Sequence, residues 1–190
     1  LLKTPLVGRV WLTDMVNAWI EDANAKPVLM LYGKPGAGKS MFSAHLQHYN
    51  PHVAASFACN HQSDEFSDTD NIITWLAYKL AMRLPDYRRQ LLKLFDDQFF
   101  DAGSKRDRFD RLIAQPLSLC IDGNRAPMMI IIDALDEAKG DEMAGFISEY
   151  TSLLPPWLRI LITARKEPHI TERFKNYPHI HCAEQSENNE

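Results

Sequence analysis

The stretch that most constrains the fold of this chain is GKPGAGKS, residues 33–40. It follows the apolar run at residues 28–32, which is typical of a strand buried in a parallel sheet, and it precedes residues 41–46, which favour a helix. A strand, a glycine-rich loop and a helix N-terminus form a cradle for phosphate, because the loop N–H groups and the helix dipole both attract an anion. We therefore expect the chain to bind a nucleoside triphosphate.

The residue types in this loop suit the chemistry of phosphate binding. Glycines allow the backbone to approach the anion closely, Lys39 can reach the β and γ phosphates, and the hydroxyl of Ser40 can bind Mg²⁺. The nucleotide-binding residues predicted here are Gly33, Pro35, Gly36, Ala37, Gly38, Lys39, Ser40 and Met41. A dinucleotide-binding fingerprint is excluded, because Met41 occupies the position of its third glycine.

A second acidic site follows the wholly apolar run at residues 128–132. Asp133 comes directly after this predicted strand, as in a Walker B motif, and we expect it to bind Mg²⁺ together with Ser40. Asp136 and Glu137 are the catalytic candidates, since either could accept a proton from, or orient, a water that attacks the γ phosphate. The sequence leaves the choice between them open, and helix capping is the alternative role for each.

The fourth predicted strand, residues 158–163, ends in polar residues. Thr163 is expected to sense the γ phosphate from the tip of this strand. Arg165 is a third catalytic candidate, which could neutralise charge in the transition state or report the nucleotide state to a neighbour. A surface ion pair is the alternative for Arg165.

Strands and helical segments alternate along the chain, which predicts an α/β fold with a parallel sheet covered by helices on both faces. Further strands are predicted at 53–59 and 179–182. Helices are predicted at 11–20 and 41–49, from a cap at Asp70, and over 141–153, and two apolar stripes at 91–99 and 109–117 indicate more, with breaks at Gly103 and Pro116.

Length and composition limit the other readings. The 190 residues fit one domain, which we expect to span 1–183, followed by a polar tail at 184–190 that is disordered or begins a linker. The net charge of −4 argues against a nucleic-acid partner. Three widely spaced cysteines and no bilayer-length apolar run predict a cytoplasmic domain without a membrane partner.

Four motifs together resemble the NACHT-type P-loop ATPases of the STAND class, which is related to AAA+ proteins. They are LVGR at 6–9, the Walker A loop at 33–40, IIIDALDE at 130–137 and ILITAR at 160–165. The resemblance covers nearly the whole chain, and the extended Walker B segment is its most specific part. Val10 departs from the pattern, because many relatives carry an acid there.

The resemblance implies a three-layer P-loop NTPase fold with a five-stranded parallel sheet in the order 5-1-4-3-2. It implies that Gly8 and Arg9 lie near the base and sugar of the nucleotide. It also implies that the nucleotide controls the exposure of neighbouring domains of the same polypeptide, or homo-oligomerisation on activation. We accordingly expect this chain to be a segment of a larger protein.

Other P-loop classes fit less well. A small GTPase requires a glycine where Asp136 stands and an N-K-x-D motif that this chain lacks. A kinase lid rich in arginine is not evident either, since the arginines at 106–111 lie in a mixed-charge helix. The sequence therefore predicts a slow Mg²⁺-dependent ATPase that acts as a switch. Use of GTP, and a switch with little or no hydrolysis, stay open as alternatives.

Overall fold

Five parallel strands form one sheet in the computed structural model, which describes residues 8–63, 68–96, 103–120, 125–138 and 141–182. The strands are β1 Val28–Tyr32, β2 Val53–Ala58, β3 Met128–Asp133, β4 Leu158–Ala164 and β5 His179–His181. Their spatial order is β2-β3-β4-β1-β5, which is the predicted 5-1-4-3-2 counted from the other edge. The predicted fold class is therefore confirmed.

Helices connect these strands, as the alternating sequence pattern predicts. They are α1 Val10–Glu21, α2 Lys39–Tyr49, α3 Thr69–Arg83, α4 Pro85–Asp96, α5 Lys105–Phe109, α6 Gln115–Ser118, α7 Glu142–Tyr150 and α8 Pro168–Arg173. Short 3₁₀ turns occupy Leu135–Glu137 and Thr151–Leu153. The helix predicted over 141–153 therefore consists of α7 followed by the second of these turns. Among the described residues, no helix is both long and apolar enough to cross a membrane. The tail at 184–190 lies outside the described residues.

One predicted helix cap is wrong. Asp68, rather than Asp70, is the N-cap of α3, and its carboxylate accepts a hydrogen bond from the backbone N–H of Asp70 at 2.8 Å. An N-cap side chain bonds an N–H two or three residues further on, so the acid just outside the helix is the one that can reach. Asp70 stands inside the first turn, where its charge favours the helix dipole.

Helices cover the sheet on both faces, because side chains alternate along each strand. Leu29 and Leu31 of β1 pack with α1 and α2, whereas Met30 and Tyr32 belong to the larger core that α3, α7 and α8 complete. The central strands are buried on both faces, which explains why their sequences are apolar without alternation. The phosphate loop thus follows a strand that is held between β4 and β5.

Pro116 does not break the helical block, contrary to the prediction. The chain stays helical from α5 through a π-helical turn, Asp110–Ala114, into α6, which contains Pro116. Proline has no N–H to offer the carbonyl four residues earlier, which here belongs to Leu112. The hydroxyl of Tyr87, a fully buried residue of α4, donates to the Leu112 carbonyl instead. A side chain from a neighbouring helix therefore satisfies the group that proline leaves unpaired.

A buried arginine fixes the C-terminal end of α1 to the sheet. Arg159 of β4 donates hydrogen bonds to the backbone carbonyls of Trp19 and Asp22, and its guanidinium lies over the Trp19 ring. The last carbonyls of a helix have no partner within the helix, so Arg159 supplies one from outside. The opposite end of α1 begins at Val10, directly after Arg9.

Candidate nucleotide-binding site

The glycine-rich loop lies at the carboxyl end of β1, and α2 begins at Lys39. Gly36 and Gly38 have φ angles of 76° and 78°, a conformation that side chains rarely adopt. Gly33 is required for a different reason: a Cβ there would lie 3.1 Å from the Cβ of Cys182 and 3.2 Å from that of Ala37. Glycine at these three positions therefore gives the loop its conformation and its close packing.

One cavity of about 460 Å³ brings most of the predicted site residues together. Its lining comprises Pro35, Gly36, Gly38, Lys39, Ser40, Met41, Ala134, Asp136, Glu137 and Arg165. The ammonium of Lys39 donates to the backbone carbonyls of Gly33, at 2.7 Å, and Lys34, at 3.3 Å, so its charge lies across the loop. Two cations, Lys39 and Arg165, thus border the same cavity, as an anionic ligand requires.

Arg9 reaches the loop from the N-terminal end of α1. Its guanidinium donates to the carbonyl of Ala37, and a Cβ placed on Gly38 would come within 2.9 Å of its Nη2 atom. Gly8, with a φ of 81°, precedes it. The predicted place of Gly8 and Arg9 near the base and sugar stays a prediction, and the first two residues of that motif lie outside the described part of the chain.

The carboxylate of Asp133 is held by two hydroxyl groups. Its Oδ1 accepts hydrogen bonds from Ser43 at 2.8 Å and from Thr163 at 2.6 Å, and Thr163 also accepts one from the backbone N–H of Ala134 at 2.9 Å. All the hydrogen bonds described for this carboxylate fall on Oδ1, which leaves Oδ2 for a cation or its bound water. Thr163 therefore orients Asp133, and its predicted role as a sensor of the γ phosphate stays a prediction.

Asp133 lines a second cavity, of about 360 Å³, which α2, α3 and β2 border and which Ser40 lines as well. A hydroxyl and a carboxylate oxygen are the hard donors that Mg²⁺ takes, usually with several waters in the remaining positions. The residues present therefore fit a Mg²⁺ ion. Sequence reasoning missed Ser43, although a small polar residue one turn after Ser40, on the face of α2 that packs on the sheet, was a usable signal.

A strained residue turns the chain directly after Asp133. Ala134 has φ 54° and ψ 50°, a left-handed conformation that costs a non-glycine residue about 1–2 kcal/mol. The 3₁₀ turn that follows presents Asp136 and Glu137 to the cavity. Asp136 forms an ion pair with Arg165, and this pairing raises the pKa of the Arg165 guanidinium.

Glu137 is the more accessible of the two acids. Its side chain is 32% exposed, and its Oε2 lies 3.4 Å from Nδ1 of His61, in the loop after β2. Sequence reasoning gave His61 no role, because the approach of this loop to β3 depends on strand order. Cys59, which ends the predicted second strand, is buried, and burial together with the nearby acids, Asp133 first, raises the pKa of its thiol to about 12.

Two pairs of histidines lie close together in sequence, His45 and His48 in α2 and His179 and His181 in β5. Within the described ranges, no group of three or more histidine, cysteine or acidic side chains is arranged to hold a metal ion. The rings of His179 and His181 lie 5.4 Å apart beside Tyr32, and His45 packs on Tyr49. These contacts are those of aromatic packing, at the β5 edge of the sheet and on the surface of α2.

Sheet order, phosphate loop and acidic strand end together define a P-loop NTPase domain of the STAND/AAA+ type. Within that class, residues 9–165 match the family described as Nephrocystin 3, N-terminal, and the chain belongs to that family. A comparison with curated proteins found no significant match.

A solved structure supports the same fold. Cdc6p from Pyrobaculum aerophilum is 18% identical in sequence and superposes with a TM-score of 0.57 over 95% of this chain and 46% of its own. The cytoplasmic domain of the type VII secretion ATPase EccC from Thermomonospora curvata is 15% identical over 82% of this chain and 19% of its own, at a TM-score of 0.36 that supports no inference. This chain thus spans less than half the length of the Cdc6p structure.

Proposed function

We propose that this chain is the ATP-binding and ATP-hydrolysing switch domain of a larger cytoplasmic signalling or scaffold protein of the NACHT type. In this proposal Mg-ATP controls the conformation or self-association of the protein. The observation that carries it is the convergence of the phosphate loop with Asp136, Glu137 and Arg165 on one cavity. Phosphoryl transfer depends on placing charge around the γ phosphate, and this cavity is bordered by groups of both signs.

The chain's own residues divide the work of binding. The loop from Gly33 to Lys39 would surround the phosphates, and Ser40 and Asp133 would hold Mg²⁺. Bound Mg²⁺ would neutralise part of the phosphate charge. Ser43 and Thr163 fix the rotamer of Asp133 through Oδ1, so Oδ2 would be available to the cation.

The alternative is a switch that hydrolyses little nucleotide as a single molecule. Asp136, one of the two acids available for catalysis, is committed to Arg165. An arginine supplied by a neighbouring molecule can increase the rate of phosphoryl transfer by about 10³–10⁵-fold. A single molecule would then hydrolyse ATP slowly, and an assembly that supplies such an arginine would hydrolyse it faster. Use of GTP instead of ATP is a further alternative, which a comparison of the two nucleotides tests.

Substitution of Lys39 by alanine tests the phosphate cradle. We expect Lys39→Ala to abolish measurable Mg-ATP binding in calorimetry, because the ammonium that reaches the phosphates is lost. Lys175→Ala removes a lysine whose ammonium pairs with Glu172 at the surface and serves as the matched control with unchanged affinity. Unchanged affinity in Lys39→Ala would refute nucleotide binding by this loop.

Turnover and assembly are measured together in a second experiment. Thermal shifts with ATP, ADP and GTP, each with and without Mg²⁺, rank the nucleotides. Phosphate release at several protein concentrations then distinguishes an ATPase from a switch with little hydrolysis. A specific activity that rises with concentration supports an assembled ATPase, whereas nucleotide binding without phosphate release supports the bare switch.

A further inference from the structure

Asp136 is the more buried of the two acids that follow Asp133. Its side chain is 2% exposed, and both oxygens accept hydrogen bonds from Arg165: Oδ1 from the backbone N–H at 2.8 Å and Oδ2 from Nε at 2.5 Å. Hydrogen bonds between charged partners are the stronger class. To take a proton from water, Asp136 would have to give up at least one of these bonds, so it is poorly placed to act as a base.

The same pair leaves the outer end of the Arg165 guanidinium available. In the described part of the chain, Asp136 engages Nε and the backbone N–H, and the two Nη groups are not used by it. The side chain of Arg165 is 41% exposed and borders the cavity that Lys39 also lines. Because a guanidinium is planar, holding Nε fixes the direction of both Nη groups.

Glu137, in contrast to Asp136, is partly exposed. It lines the same cavity, and the contact described for its carboxylate is the 3.4 Å approach of His61 to Oε2. Its other oxygen, Oε1, has no such approach in the described ranges. A partly exposed carboxylate with an available oxygen, beside the phosphate loop, can reach a water that lies over the γ phosphate.

We propose that Asp136 is a positioning residue that directs Arg165 at the γ phosphate, and that Glu137 is the group that accepts the proton from the attacking water. This proposal rests on the proposed function and divides the roles of two acids that the sequence leaves equivalent. The Asp136–Arg165 pair is called the latch below. In the latch, one side of the guanidinium is anchored to the turn after β3 and the other side faces the phosphates.

The reaction balances with water as the second reactant. A bond forms between the water oxygen and the γ phosphorus, and the bond from the γ phosphorus to the β,γ-bridging oxygen breaks. The bridging oxygen leaves with its electron pair on the nucleoside diphosphate, and the water proton passes to Glu137. The Nη groups of Arg165 stabilise the negative charge that the phosphoryl oxygens carry in the transition state.

The pH dependence of ATP hydrolysis distinguishes the two acids. We expect Glu137→Gln to lower kcat by about 10²–10⁴-fold and to remove the fall in rate toward acid pH, because the titrating base is gone. Asp136→Asn should lower kcat by roughly 10–100-fold through a misdirected Arg165, and should retain the fall in rate toward acid pH. Both variants should bind Mg-ATP within about twofold of the unaltered chain.

A double-mutant cycle tests the latch itself. Arg165→Gln and Asp136→Asn break the same pair, so the double variant should be no slower than the slower single variant. If Asp136→Asn fails to fold, Arg165→Gln breaks the latch from its exposed side, and Arg165→Lys keeps the charge while removing the planar fork. Glu172→Gln, an exposed acid far from this turn in sequence, is the control and should change nothing.

Three results would overturn the proposal. The first is an acid limb that disappears in Asp136→Asn and survives in Glu137→Gln. The second is additivity of the Asp136 and Arg165 substitutions. The third is an unaltered chain that binds Mg-ATP at every concentration tested and never releases phosphate, which removes the role of Glu137 while nucleotide binding stands. Failure to bind nucleotide at all contradicts the proposed function itself.

Discussion

Single side chains at this site take their roles from the strand that lies next to them. Asp133 ends β3, yet the hydroxyl that holds it most closely belongs to Thr163 of β4, and a second comes from Ser43 of α2. A buried carboxylate needs such donors, because burying a polar group without hydrogen bonds costs free energy. The two hydroxyls therefore hold the Asp133 carboxylate in one orientation, as a metal ligand requires.

The thiol of Cys59 supplies a prediction at this scale. Burial, reinforced by Asp133, Asp136 and Glu137, raises its pKa to about 12, so the reactive thiolate forms only as the pH approaches that value. At pH 8 the thiolate fraction is on the order of 10⁻⁴, against about a quarter for an ordinary cysteine. Mass spectrometry of peptides alkylated with iodoacetamide at pH 8 should show Cys59 reacting about 100-fold or more slowly than an exposed cysteine.

An introduced surface cysteine is the control for that measurement. Ser152 is exposed, and Ser152→Cys adds a freely accessible thiol to the same protein. Unfolding in denaturant should equalise the two rates, since it removes both the burial and the acidic neighbours. Equal rates in the folded protein would contradict the buried environment of Cys59.

At this scale, sequence reasoning predicts where a side chain lies when one local motif decides its position, and the role of that side chain stays a prediction. Lys39, Ser40 and Asp133 lie where the loop and the strand end predict, because each position follows from a few neighbouring residues. Ser43 and His61 could not be assigned in the same way, since their contacts join α2 to β3 and β2 to the turn after β3. The commitment of Asp136 to Arg165 likewise depends on the packing of two strands.

At the scale of an element, the helical block between β2 and β3 shows how tertiary contacts override a local rule. Proline inside a helix removes one hydrogen bond, and the sequence therefore predicts a break at Pro116. The π-helical turn and the hydroxyl of Tyr87 together accommodate it. Helical periodicity identified the block, but it could not reveal that the donor, Tyr87, lies 25 residues before the Leu112 carbonyl.

Replacement of Tyr87 measures this accommodation. We expect Tyr87→Phe to lower the free energy of unfolding by about 1–3 kcal/mol, because the Leu112 carbonyl is left buried without its donor. In a Pro116→Ala background the cost should shrink by roughly 1 kcal/mol, since alanine restores an N–H to that carbonyl. Denaturation in urea gives all four values.

Tyr78→Phe removes a hydroxyl from an exposed tyrosine of α3 and should leave stability unchanged. An equal cost of Tyr87→Phe in both backgrounds would show that the hydroxyl and the proline act independently, against the structure.

At the scale of the whole molecule, α1 connects the two ends of the sheet. Arg159 holds its C-terminal carbonyls near the start of β4, and Arg9 at its other end lies on the phosphate loop. A helix of 12 residues is about 18 Å long, which is close to the length of the central strands. The position of Arg9 on the loop therefore depends on Arg159, which anchors α1 at the opposite end of the sheet.

Removal of that anchor is the prediction at this scale. Arg159→Met should lower the free energy of unfolding by about 1–3 kcal/mol and increase hydrogen exchange in α1, while exchange in β1, β3 and β4 stays slow. Arg83→Met is the matched control, because Arg83 also donates to a backbone carbonyl, that of Pro51, but at the surface. Unchanged exchange in α1 would argue against the anchor.

The class of the sheet could be predicted from the sequence pattern, but the order of its strands could not. The alternation of apolar runs and helical stripes indicates a parallel α/β sheet by physical argument alone. The order 5-1-4-3-2 came from the resemblance in motifs, since no local pattern states which strands become neighbours. The two-core arrangement follows once that order is known, because alternate residues of each strand must face opposite layers.

The hydrogen bond from Tyr87 to the carbonyl before Pro116 also bears on how sequences of this family diverge. A lineage that acquires proline at position 116 without a donor at position 87 would carry a buried unpaired carbonyl. A lineage that loses the proline would free position 87 to drift toward phenylalanine or leucine. Positions 87 and 116 should therefore change together across relatives, as a pair of substitutions in which the donor precedes the proline.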